Sequence, residues 1–430
     1  MLVKWNYKYA LVIFLFFSVG VPILFNNAIA QKNIHFINGQ WFNGGGFSTT
    51  DFYCVNGVLA KTKPSTVDTV IDLKQQYIIP PFGEAHNHSP DTELDFDIFN
   101  ERYLSDGIFY IKNPNSIPFA TSKIAGRINK PTAVDIVFAN GGLTATGGHP
   151  TGLYNYLLST IYKKSILGWT NRSLEGHAFY VIDSKENIEK KWPFIMADKP
   201  GFIKVYLLHS EEFEQRKNDT LFNGRKGLDP LLLPLIVKKA HAAGLKVSCH
   251  AETPADVRNA VKAGVDEINH LPGYQVRWKD GYQPNYYLLT PAIAKQMQKK
   301  GIHADATYSL AETELFVKDS AQRKMRREVQ KKNLLLLKKY NIPVTVGCDS
   351  YNLTAKTEAD YLYKLNIYTN LELLRMWCEI TPLAIFPQRK IAALKEGYEA
   401  SFLVLKENPL QNFEAVYQIQ LRVKQGQLLW

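Results

Sequence analysis

Beyond residue 80 the chain alternates short runs rich in β-branched and aromatic residues with helical stretches, the order expected of βα units around a parallel sheet. Eight runs are predicted as strands: Tyr77 to Pro80, Gly107 to Lys112, Val134 to Ala139, Phe202 to Leu208, Leu245 to His250, Glu267 to His270, Ile302 to Thr307 and Pro343 to Gly347. Eight parallel strands of this kind predict an α/β fold, a closed (β/α)8 barrel of the TIM type. The clearest helices are punctuated by glycine: Pro230 to Ala243 ends at Gly244, Pro254 to Ala263 at Gly264, and Pro291 to Lys300 at Gly301. Proline just inside the start and glycine just past the end is the usual helix asymmetry. Trp41 to Asp72 and Ser401 to Leu429 read instead as short strands and turns, and are expected to pair into one small β domain. The predicted organisation is a leader over 1–30, a composite β domain from 31–81 and 383–430, and a barrel over 82–382.

The leader follows from Lys4 and Lys8, the apolar run Ala10 to Val19, and Ala28-Ile29-Ala30, which fits the small-x-small rule for signal cleavage. Gly20 and Pro22 interrupt the run and leave it short of the roughly 20 residues a membrane span needs. The expectation is cleavage before Gln31, export to a periplasmic or secreted location, and no stable membrane insertion afterwards. With 430 residues, 46% of them hydrophobic and 21% charged, the chain is long and apolar enough for one large barrel and a companion domain. The formal charge is +11, and one segment, Arg323 to Lys339, holds eight Lys or Arg around Leu334 to Leu337. That pattern reads as a solvated outer helix with one buried stripe, so no nucleic-acid partner is expected. Cys54, Cys249, Cys348 and Cys378 form no CxxC pair, and no disulfide framework is indicated. Cys249 and Cys348 read as small core residues.

The candidate chemistry lies at strand ends. His86-Asn87-His88 follows the first predicted strand, and in extended backbone residues i and i+2 share a face, so both imidazoles can reach one metal ion. Alone, such a pair fits a surface location equally well. His250 closes the run Lys246-Val247-Ser248-Cys249 and His270 closes Asp266-Glu267-Ile268-Asn269, separated by one helix and its loops, which places both at the C-terminal mouth of neighbouring strands; singly, each also fits a satisfied core histidine. Asp349 ends the last strand, where a carboxylate could bind the metal and take a proton from its water. A helix N-cap, with Ser350 and Asn352 as competitors, is the alternative for that position.

His86, His88, His250, His270 and Asp349, in that strand order, resemble the signature of the amidohydrolase superfamily, and the likeness runs from about Gly57 to the C-terminus. The resemblance implies a further metal ligand, Lys204 in Phe202-Ile203-Lys204-Val205-Tyr206, which in many family members is carboxylated and bridges two ions; a lysine snorkelling from a strand edge is the alternative. Gly147-Gly148-His149 resembles a motif of the imidazolonepropionase and Xaa-Pro dipeptidase branch, which implies a substrate contact for His149. Tyr206, two residues past Lys204 on the same strand face, could donate to a developing oxyanion. Tyr154 and Tyr156 are candidates for the pocket wall. Two departures weaken any subfamily assignment: Ser401 stands where the family usually has Asp, and Pro80-Pro81-Phe82-Gly83-Glu84 replaces the usual Pro-Gly approach to the histidines.

The function so implied is hydrolysis of an amide, peptide or cyclic amide C–N bond by a metal-activated water, with one or two divalent ions, zinc by donor type, and Asp349 as the proton acceptor. The expected partner is a small amide or short peptide, and a homo-oligomer is compatible. A deaminase, or a lactonase or phosphotriesterase, on the same barrel is the alternative chemistry. A non-catalytic exported binding protein is the alternative of another class.

Overall fold

The strand Ile34–Phe42 buries Ile34 and Phe36 on alternate positions, then bulges at Asn38, whose φ is +58°, so that burial resumes at Gly39 and Trp41. It pairs antiparallel with Phe47–Val55 and parallel with Thr69–Asp72 and Tyr77–Ile79. Tyr77–Ile79 in turn pairs antiparallel with Phe402–Leu405, and Ile419–Lys424 and Gln427–Leu429 extend the same sheet. Strands from both ends of the chain therefore form one mixed eight-stranded sheet, completed by Val58–Ala60. The computed structural model describes residues 32–276, 283–312 and 319–429, so the predicted leader and its cleavage site before Gln31 lie outside the described residues. No helix among the described residues is long and apolar enough to cross a membrane.

This sheet corrects one expectation. Tyr77 to Pro80 was expected as the first strand of the parallel array, but Pro80 and Pro81 end it, and the parallel array begins at Phe82–Glu84. The parallel strands form two sheets rather than one continuous ladder. Phe82–Glu84, Ile108–Asn113 and Asp135–Phe138 make a sheet of three. The other, of seven strands, runs in the order Phe179–Val181, Gly142–Thr144, Ile203–Tyr206, Val247–His250, Glu267–Asn269, His303–Asp305 and Val344–Thr345. Gly142–Thr144 and Phe179–Val181 were not predicted; each is three residues long, too short for a period to register. Beyond the ladders, Ala85 N donates to Val346 O at 2.9 Å and Gly201 N, just before Ile203–Tyr206, to Phe138 O at 2.8 Å, so backbone bonds link the two sheets at two points.

The helices at Pro254–Ala263 and Pro291–Lys300 have the predicted bounds, and a third spans Leu233–Ala242. Thr253 caps its helix through a reciprocal capping box with Asp256. The basic segment is the outer helix Ser320–Lys339, whose inner face buries Val329, Leu334 and Leu337 but also Gln330 and Asn333. All four cysteines are free and buried.

Trp377, fully buried, lies flat on Phe82 with ring centroids 3.8 Å apart and donates its indole N–H to Gly83 O at 3.0 Å. It thus backs the strand that leads into His86 and His88. Trp377→Ala removes this support and leaves a large void, and is expected to cost about 3–5 kcal/mol of unfolding free energy in a denaturant titration. A loss below about 1 kcal/mol would show that the strand does not depend on it.

Candidate active site

The eight residues given ligand or substrate roles from the sequence line one cavity of about 440 Å³: His86, His88, His149, Lys204, Tyr206, His250, His270 and Asp349. Strand geometry gathers them. Lys204 and Tyr206 project to the same side from Ile203–Tyr206, His250 ends Val247–His250, and His270 directly follows Glu267–Asn269. His270 and Asp349 both adopt left-handed backbone, with φ of +63° and +50°, a conformation disfavoured for side-chain-bearing residues and concentrated at functional sites. Gly347 lets the last strand pass against His86, since a Cβ there would lie 2.6 Å from His86 N.

Asp349 is the hub. Its Oδ1 lies 3.0 Å from His88 Nε2 and 3.4 Å from His86 Nε2, and its Oδ2 accepts a 2.6 Å hydrogen bond from the Tyr274 hydroxyl. His270 Nδ1 is 3.8 Å from the same Oδ2 and 2.7 Å from Thr307 Oγ1. The rings then continue across the cavity floor: His86 to His270 at 4.6 Å, His270 to His250 at 4.4 Å, His250 to His149 at 4.9 Å, and His149 to Tyr206 at 5.3 Å. Lys204 Nζ sits 2.5 Å from Asn269 Oδ1 and 5.4 Å from the Tyr206 ring.

The electrostatics separate the groups. Burial holds His86 and His270 well below the usual histidine range, so both are neutral imidazoles at pH 7, and burial brings His149 to about 3. For Asp349, burial alone would raise the carboxyl, but His86, His88 and the Tyr274 hydroxyl outweigh it and hold the acid well below its usual value. Burial brings Lys204 down to about 8, opposed by Glu267 and Asp349. Below it, Lys112 is ion-paired with Glu267 and donates to Ser248 Oγ at 2.7 Å, so Glu267 meets a counter-charge in the buried layer under the cavity.

Neutral imidazoles around one ionised carboxylate are the donor set a divalent cation requires. The ligand atoms of His86, His88 and Asp349 all lie within 4.8 Å of one another, close enough to share one ion. His88 Nδ1 faces Asn115 O at 3.3 Å, and Asp305 Oδ2 lies 3.2 Å from His86 Nδ1, so oxygen atoms stand behind both rings, as behind metal-ligating histidines generally. His250 and Lys204 line the same cavity.

Of the two tyrosines suggested for the pocket wall, Tyr154 lines it, whereas Tyr156 is exposed on the helix Thr151–Ser159. The segment from Ser210 to Lys226 contains short helical turns, and Gly224 N donates to Gly147 O at 2.8 Å while His149 N donates to Lys226 O at 2.9 Å. This segment thereby fixes the backbone of His149. Asn115, Tyr274 and Tyr351 line the cavity as well and were not anticipated. Tyr351 stacks on His88 at 5.0 Å and is only two residues past Asp349; Asn115 and Tyr274 lie in loops, and no period marks them.

No family model matches the chain. Ochratoxinase of Aspergillus niger is 26% identical over 196 residues, which is 43% of this chain and 37% of that protein. The match therefore spans little more than a third of the curated relative. The solved structure of the same Aspergillus niger enzyme aligns over 93% of this chain and 95% of its own, with a TM-score of 0.69 and 19% identity. A Xaa-Pro dipeptidase with methionine bound in its active site aligns over 93% of this chain and all of its own, with a TM-score of 0.69 and 14% identity. Molinate hydrolase gives a TM-score of 0.68 at 12% identity over 93% and 95% of the two chains. The structural neighbours of this chain are thus amidohydrolase-type proteins, the family that its four histidines and aspartate resemble.

Proposed function

We propose that the protein is a metal-dependent hydrolase of C–N bonds acting on a small amide or short peptide. The observation that carries this reading is the single cavity in which His86, His88, Lys204, His250, His270 and Asp349 converge beside His149 and Tyr206. The neighbours named for ochratoxin, Xaa-Pro dipeptide and molinate hydrolysis support an amide-type substrate by analogy of fold. A divalent ion, zinc by the histidine-rich donor set, would be held by His86, His88 and Asp349, with His250, His270 and a carboxylated Lys204 completing a second position. Such an ion lowers the pKa of bound water to about 7 and polarises a carbonyl.

The chain's own residues do the rest. Asp349, ionised and fixed by three neighbours, takes the proton of the attacking water and returns it to the leaving nitrogen. His149 is neutral, so one ring N–H can donate to the carbonyl oxygen, and the Tyr206 hydroxyl can donate from the adjacent wall. Tyr154, Tyr351 and Leu153 give the mouth an apolar lining that would hold an aromatic or aliphatic acyl group and limit water. The predicted leader gives this enzyme an exported location. A deaminase reading leaves Lys204 without a role, whereas here its position on the cavity wall is used.

The test is metal content per chain on protein purified without chelator, alongside His250→Ala. About one to two equivalents of zinc in the wild type, lowered in His250→Ala, together with turnover of N-acyl amino acids or Xaa-Pro dipeptides, is the expected outcome. A chain that binds no divalent ion under any loading condition would sink the mechanism.

A further inference from the structure

We infer that Tyr274 is a positioning residue for Asp349, and that the outer helix Ser320–Lys339 holds Tyr274 in place from behind; the inference rests on the hydrolase reading above. Asp349 divides its two oxygens between two tasks. Oδ1 faces His86 and His88, the ligand side, while Oδ2 accepts from Tyr274 at 2.6 Å. A carboxylate held at one oxygen cannot rotate, so the other keeps its aim at the water it deprotonates and then at the departing nitrogen. The Tyr274 ring also lies 4.4 Å from the His270 ring, so one side chain braces two members of the site.

The loop that carries Tyr274 has little secondary structure of its own and is secured by side chains of the outer helix. Gln330 Nε2 donates to Gly273 O at 2.9 Å, and Asn333 Nδ2 donates to Pro272 O at 2.8 Å and to Tyr287 O at 2.9 Å. Asn333 Oδ1 accepts from Leu289 N at 2.8 Å, and the Tyr361 hydroxyl bonds Gln330 Oε1. The Tyr308 hydroxyl adds a second bond to Pro272 O, at 3.0 Å. Gln330 and Asn333 are fully buried amides on the face of a helix where apolar residues would otherwise pack, and each donates one N–H bond to the backbone immediately before Tyr274. Gly273 completes the clamp: its φ is +101°, and a Cβ there would lie 3.1 Å from Val329 Cγ1 and 3.2 Å from Gln330 Cγ, so the loop meets the helix with no side chain between.

The experiment measures kcat, KM and metal content for Tyr274→Phe, Asn333→Leu and Tyr274→Phe/Asp349→Asn. Tyr274→Phe is expected to lower kcat about 10–100-fold with KM within about twofold and metal content unchanged. Asn333→Leu is expected to show a smaller loss of the same kind, and the double variant to be no worse than Asp349→Asn alone. A second readout needs no substrate: in metal-free protein, Tyr274→Phe should lower Tm in the wild-type background and leave it unchanged beside Asp349→Ala, which removes the acceptor. Wild-type kcat in Tyr274→Phe, or equal Tm losses in both backgrounds, overturns the inference while leaving the hydrolase reading intact. A wild type that neither binds metal nor hydrolyses any amide overturns that reading, whatever the Tm cycle shows.

Discussion

Asp349→Asn should lower kcat by roughly 10²–10⁴-fold while leaving the fold and the cavity in place. Asparagine keeps the shape of the side chain, so steric change is small, but its amide cannot accept a proton from water and pass it on. The same substitution changes how stability varies with pH. The carboxyl of Asp349 is held well below its usual value because His86 and His88 and the Tyr274 hydroxyl outweigh burial. A depressed carboxyl stabilises the fold above its unfolded pKa, and that contribution is lost as pH falls through the lower folded value. Metal-free Asp349→Asn should therefore be less stable than the wild type at neutral pH, with the gap narrowing in acid. Denaturant titrations at two pH values check the second claim and initial rates the first. Undiminished turnover in Asp349→Asn would remove it from the proton-transfer role.

The second large effect concerns Lys204. Burial brings its pKa from 10.5 down to about 8, so near pH 8 about half of the chains carry a neutral amine, the form that can add carbon dioxide. Carboxylation and second-ion loading should then rise with pH through about 8 and be suppressed below it. Lys204→Ala should lose about one metal equivalent and more than about tenfold in activity. Stability rises with pH here as it does for Asp349, since folding lowers both pKa values, but for Lys204 the linkage appears as a penalty at low pH. A buried lysine with a lowered pKa destabilises the fold fully below about 8, and the penalty is relieved as pH rises toward the unfolded value of 10.5. Native mass measurement with labelled bicarbonate reads the modification directly. A single ion unaffected by Lys204→Ala would reduce the site to a mononuclear one.

The cavity residues were legible because they stand at or just past strand ends: His250 is the last residue of Val247–His250, His270 directly follows Glu267–Asn269, and Asp349 comes shortly after Val344–Thr345. The later helices were legible for a similar reason, since Pro254, Pro291, Gly264 and Gly301 mark their ends. Tyr77 to Phe82 shows the limit. Its apolar character continues across Pro80 and Pro81, and the pairing, with Phe402–Leu405 for its first half and Ile108–Asn113 for its last residue, shows that the prolines divide it between two sheets. Likewise Tyr274 sits in a loop whose geometry is dictated by Gln330 and Asn333, some sixty residues later in the chain. The sequence around Tyr274 does not encode that contact, and Asn115, in the loop between Ile108–Asn113 and the helix Pro118–Ser122, was invisible for the same reason.

The terminal sheet also sets an order of events. Tyr77–Ile79 cannot finish its pairing until Phe402–Leu405 is present, and more than 300 residues separate the two. Joining such distant segments carries a loop-closure cost that only a largely formed intervening structure reduces. The N-terminal strands must therefore leave one edge unsatisfied during synthesis, and the last strands to emerge complete the sheet that the first began. Maturation of the whole chain, rather than of its N-terminal part, is what closes that edge against pairing with another copy.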